Sequence, residues 1–114
     1  MSRPRRDKDY LRDIHEAIQR IMVYTAGLTY EQFLDDDKTQ DAVIRNLQVV
    51  GEAVKKLSTP LKQAHSQIPW KEMAGIRDKI VHEYFGINYD VVWTVAQEEL
   101  PSLLSQIEAI WLEE

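Results

Sequence analysis

Apolar side chains recur at spacings of three and four along most of this chain, the period of a helix with one buried face. Leu11, Ile14, Ile18, Ile21, Met22 and Thr25 predict an amphipathic helix over about 7–25, stopped by Gly27. Thr29 is placed to cap a short turn from Tyr30 to Leu34. Val43, Leu47, Val50, Val54 and Leu57 carry a second stripe over about 38–57, ended by Ser58, Thr59 and Pro60. The stretch from Leu61 to Ile68 is weakly patterned and predicts one helical turn. Pro69 suits the first position of a third helix, since its missing N–H costs nothing there. That helix is expected over about 69–84, with Gly86 and Asn88 marking its end.

The last stripe, Val92, Ala96, Leu100, Leu103, Ile107 and Ile110, predicts a helix from Tyr89 to near Trp111. Pro101 lies inside it. Proline removes one backbone hydrogen bond and clashes with the carbonyl four residues earlier, here Gln97, so a kink or a fresh start after Leu100 is expected. No segment alternates as a strand does, and no internal repeat is evident. The pattern predicts an all-α fold: one domain over 1–114, core about 7–111, with four main helices as antiparallel neighbours.

Composition narrows the picture. A chain of 114 residues can bury a core without staples, and it has no cysteine, hence no disulfide, thiolate nucleophile or zinc thiolate. Its apolar runs are too short for a membrane span, and its basic amino terminus runs into charged helix rather than the apolar stretch of a signal peptide. A cytoplasmic protein is expected. The net charge of −5 argues against broad, non-specific binding of nucleic acid. Residues 1–20 hold six Arg or Lys against four acids, whereas 87–114 hold six acids and no Lys or Arg. Any nucleic-acid contact must then be local.

Candidate chemistry concentrates in Arg77-Asp78-Lys79-Ile80-Val81-His82-Glu83-Tyr84. Arginine brings a permanent cation with a planar fork of donors that fits phosphate oxygens. Histidine can take and return a proton near neutral pH. On a continuous helix Arg77 and His82 would stand about 140° apart around the axis and ~7.5 Å apart along it, so they are not stacked neighbours. Asp78, four residues before His82, is spaced to orient the imidazole, and Lys79 and Glu83 are spaced as a surface ion pair. Taken by spacing alone, these residues read as surface charges, a partly buried histidine and a core or interface tyrosine. Asn46, at the edge of the second stripe, can donate to a phosphate, fix Arg77, or bond within the bundle. Glu52 reads as a solvated acid. Asp35-Asp36-Asp37 reads as a loop and helix cap rather than a metal site, because consecutive side chains splay apart. His15, His65 and His82 are scattered, and no metal-ligand motif is present.

Arg77, four residues, His82, one residue and Tyr84 resemble the R-x4-6-H-x-Y signature of the HEPN superfamily, in its HepT-like branch. Residues 41–53 resemble that branch's second helix, 70–86 its motif helix and 92–101 its last, in order and without an obvious gap. The resemblance implies a four-to-five-helix HEPN bundle that forms a homodimer, with the motif helices of two protomers facing across a cleft. It further implies a metal-independent ribonuclease, with no cofactor, acting as the toxin of a toxin–antitoxin pair. In that reading Arg77 and His82 are catalytic, Asp78 and Asn46 supporting, and the substrate is RNA such as tRNA or mRNA. The implied partner is a small MntA-like nucleotidyltransferase antitoxin that attaches AMP to Tyr84. A non-catalytic HEPN module that binds a nucleotide, or only docks such a partner, is the alternative.

Overall fold

The computed structural model describes residues 5–82 and 86–113; the side chains of His82, Leu112 and Glu113 lie outside what it describes. Helix α1 (Asp7–Thr25) starts where the Arg6 N–H donates to the Asp9 carboxylate at 2.8 Å, with Asp7 and Asp9 placed against the positive end of the helix dipole. Leu11, Ile14, Ile18 and Ile21 are fully buried on one face. Gly27, at φ 75°, turns the chain in a conformation that other residues rarely adopt. Helix α2 (Tyr30–Leu34) is closed by a reciprocal cap: the Thr29 N–H donates to Gln32 Oε1 at 2.9 Å, and Thr29 Oγ1 accepts the Gln32 N–H at 3.1 Å.

Helix α3 (Asp37–Lys56) packs along α1 and presents Val43, Leu47, Val50 and Val54 to the core. Its cap is Asp36, whose carboxylate accepts the Thr39 hydroxyl at 2.6 Å and the Thr39 N–H at 3.0 Å. These bonds, the hydroxyl first, hold the Asp36 carboxyl below its ordinary pKa. The acidic triplet is thus a loop and a cap, as its sequence implied. Helix α4 (Thr59–Ala64), capped by Ser58, supplies the helical turn expected within Leu61–Ile68 but begins two residues earlier. The Asp7 carboxylate accepts the Ser58 N–H at 2.8 Å and its hydroxyl at 2.5 Å, fastening the start of α1 to the end of α3.

The predicted third helix is not continuous. It divides into α5 (Trp70–Ala74) and α6 (Ile76–Ile80) at Gly75, whose ψ of 13° leaves the helical well. Pro69 is the cap of α5 rather than its first residue. The helical path ends at Ile80, four residues short of expectation, because Val81 is extended (φ −94°, ψ 123°). Strand β1 (Val81–His82) pairs antiparallel with β2 (Gly86–Ile87), Val81 opposite Ile87 and His82 opposite Gly86. This two-residue ladder is the only sheet among the described residues. β-Branched Ile80 and Val81 fit either an apolar helix face or a ladder, and the second copy of backbone at Gly86–Ile87 decides for the ladder.

Helix α7 (Tyr89–Thr94) is capped by Asn88, whose side chain accepts the Val91 N–H at 3.2 Å. It runs into a π-helical segment (Val95–Glu99) and then α8 (Leu100–Glu113). The Leu100 N–H bonds Val95 O, five residues back. This widened turn sits just before Pro101 and gives the proline ring room against the Gln97 carbonyl, so the expected disturbance takes the form of a bulge. Helix α8 returns along α1, where His15 Nε2 meets Glu108 Oε2 at 3.1 Å and the His15 ring lies 4.4 Å from that of Trp111. The result is an all-α bundle around one core, the architecture expected. Among the described residues no helix is long and apolar enough to cross a membrane.

Candidate functional site

Arg77 is the second residue of α6 and is exposed. Among the described residues its guanidinium makes no hydrogen bond or ion pair. Asp78 follows it, also exposed. His82 lies past the helix end, its backbone in β1 opposite Gly86. The 140° separation therefore does not describe this segment: the extended Val81 re-aims the chain between the two residues. For the same reason Asp78 and His82 do not share a helical turn, and the spacing argument for a carboxylate-oriented imidazole lapses. Tyr84 and the His82 imidazole lie outside the described residues.

The expected partner of Lys79, Glu83, falls outside what the structure describes, but another carboxylate is at hand. Lys79 Nζ meets both carboxylate oxygens of Glu99, each at 3.2 Å, tying α6 to the π segment. The exposed pair contributes about 0.2–1 kcal/mol and weakens with salt.

Asn46 is buried on α3, and its amide donates to the Ala42 carbonyl at 2.8 Å, one turn back in its own helix. Of the three roles open to it, the bond within the bundle is the one observed. Glu52 is a solvated acid at 3.4 Å from Lys55. Asn88 was legible only as a loop marker, yet its N–H donates to the Ile80 carbonyl at 2.7 Å and closes the end of α6. Gly51 was not singled out by the pattern, although a glycine inside a strong helical stripe is itself a signal of close approach. It lies under the α5–α6 elbow: a Cβ there would come within 3.2 Å of Ile76 Cγ2 and 3.4 Å of Met73 O. Among the described residues no group of three or more His, Asp or Glu is arranged to hold a metal ion.

An exposed guanidinium that no described residue engages is able to bind and neutralise a phosphate. Residues 14–110 match the family model described as Ribonuclease HepT-like. This chain belongs to the HepT-like family. The HepT-like chain is 47% identical to the “Probable ribonuclease HepT” of Thermococcus cleftensis, over 93% of its own length and 96% of that protein's. It is 44% identical to a “Putative RNase” of Methanocaldococcus jannaschii, over 94% of its length and 89% of the relative's. A “Putative RNase” of Caldanaerobacter subterraneus is 39% identical over 90% and 92% of the respective lengths. No solved structure matches the HepT-like chain. The HEPN resemblance read from the Arg77-to-Tyr84 motif is therefore borne out at the level of the family.

Proposed function

We propose that two copies of this HepT-like chain form a metal-independent endoribonuclease, the toxin of a toxin–antitoxin pair, with Arg77 and His82 of both protomers meeting at one cleft. The observation that carries the reading is the exposed Arg77 side chain, which no described residue neutralises. A guanidinium left free on a short helix is available to a phosphate arriving from outside. One protomer offers one such group, and a facing copy of α6 would supply the complement.

The chemistry follows from the residue types. His82 of one protomer takes the proton of the attacking 2′-hydroxyl as the new O–P bond forms. His82 of the other gives a proton to the leaving 5′-oxygen as the old bond breaks, leaving a cyclic phosphate and a free 5′-hydroxyl. Arg77 holds the phosphate and stabilises the charge that grows on its oxygens. Protons and charge are both served by side chains, so the scheme needs no metal ion. The negative net charge limits RNA contact to the neighbourhood of the motif and the amino-terminal arginines, which suits a short stretch of a structured RNA such as tRNA. Control falls to an MntA-like nucleotidyltransferase antitoxin that places AMP on Tyr84, where a bulky anion would fill the cleft and repel RNA.

Two measurements test the scheme. Purified protein incubated with RNA should cleave it equally with and without excess EDTA; a strict requirement for added divalent metal would remove the two-histidine mechanism. Incubation with the nucleotidyltransferase and labelled ATP should mark the wild-type chain and leave Tyr84→Phe unlabelled. Labelling that persists in that variant would show that the acceptor is another residue.

A further inference from the structure

We infer that Gly51 is a positioning residue for Arg77, its missing side chain setting the depth at which the α5–α6 elbow rests on α3. The inference rests on the reading of Arg77 as the phosphate-holding group. Gly51 is buried in the middle of α3, where a glycine costs helix stability and needs a reason. The reason is visible in what surrounds it. A Cβ at that position would lie 3.2 Å from Ile76 Cγ2, 3.4 Å from Met73 O and 3.6 Å from Ala74 O, all three atoms of the elbow. Ile76 is the first residue of α6 and is bonded directly to Arg77. Its Cγ2 is fixed by β-branching and cannot swing aside as the tip of a long chain could.

The elbow nonetheless has somewhere to go. A cavity of about 370 Å³ opens beside the contact, lined by Val50, Met73, Ile76, Val95, Leu100 and Leu103 among others. A methyl group added at residue 51 is therefore accommodated by a shift of Ile76 and α6 toward that space, rather than by unfolding. Alanine also restores the helix propensity that glycine gave up, which offsets the crowding. The fold is kept while the guanidinium moves. Displacements of a fraction of an ångström to an ångström are enough to impair a group that must meet a phosphate in one geometry.

The test compares Gly51→Ala, Ile76→Leu and the double variant in the full-length dimer. Leucine is not branched at Cβ and has no Cγ2 methyl, so Ile76→Leu removes the atom that the new Cβ would meet. Gly51→Ala should keep its melting temperature within about 3 °C of wild type. It should shift the backbone amide resonances of Arg77 and Lys79 and lower kcat for RNA cleavage on the order of 10- to 100-fold, with KM changed by less than about threefold. Ile76→Leu alone should be nearly wild type, and the double variant should regain most of the lost kcat. Unmoved Arg77 and Lys79 amides would overturn the inference whatever the activity. So would wild-type kcat in Gly51→Ala when Arg77→Ala is inactive, or a loss of kcat that tracks a fallen melting temperature and is not rescued by Ile76→Leu. Full activity in Arg77→Ala would instead sink the functional reading of Arg77, and with it the positioning role, while the amide shifts would still report whether Gly51 sets the elbow.

Discussion

His82→Ala is expected to lower RNA cleavage by about 10²- to 10⁴-fold, the usual worth of a positioned general acid or base. Arg77→Ala is expected to cost on the order of 10²- to 10³-fold, as the loss of a charge-stabilising donor does. Arg77→Lys should rescue little, because an ammonium keeps the charge but not the planar fork that grips two phosphate oxygens at once. The structure makes the arginine arm of this experiment clean. Arg77 is exposed and bonds no described residue, so its removal should change stability by less than about 0.5 kcal/mol. Single-turnover cleavage of a labelled RNA, read beside circular dichroism and the mass in solution, separates a lost reaction from a lost fold. Undiminished cleavage in both alanine variants would falsify the assigned roles.

Phe33→Ala should have the largest effect on stability, about 3–5 kcal/mol. Phe33 is fully buried although it sits on the five-residue helix α2. Its ring lies 5.1 Å from that of Trp93 and 6.4 Å, edge to face, from that of Tyr89. With Tyr30, whose ring lies 6.0 Å from that of Trp93, Phe33 joins α2 to α7, and neither short helix has enough apolar surface of its own to hold its place. Gln40 adds a polar latch, its amide donating to the carbonyls of Phe33 and Leu34 at 3.0 and 2.9 Å. Removing the ring leaves a cavity between elements that cannot readily collapse. The melting temperature should fall by about 10 °C or more. Val23→Ala, at a side chain 71% exposed, should move it hardly at all. Equal melting temperatures for the two variants would show that α2 is not held by its aromatic anchor.

Much of this architecture was legible because it is local. The start of α1 at Asp7 and the span of α2 from Tyr30 to Leu34 follow from apolar spacing and capping residues a few positions away. The acidic triplet as a loop and helix cap followed from the same chemistry, though the cap is Asp36 and Asp37 already belongs to α3. The motif region was misread where the deciding contact is distant or ambiguous. Ile80 and Val81 continue a helical stripe as well as they begin a strand, and their pairing with Gly86–Ile87 is not encoded in the stripe. Once α6 ends at Ile80, the register argument that ran through it from Asp78 to His82 no longer holds. Glu99 as the partner of Lys79 lies 20 residues on, beyond the reach of any helical spacing rule. The family was legible for a different reason: the Arg77-to-Tyr84 motif is a matter of residue type and order, whichever backbone carries it.

The pairing of His15 with Glu108 and Trp111 also fixes where attachments to this bundle can go. Because α8 runs back along α1, with Leu104 beside Arg20 and Val23 and Glu108 beside His15, its last turn arrives near the first turns of α1. Two points at opposite extremes of the amino-acid order are thereby brought to one pole of the molecule. A tag or fused domain joined before Asp7 and another joined after the last turn of α8 would leave from that same pole as neighbours, and a linker of modest length would be enough to bridge them.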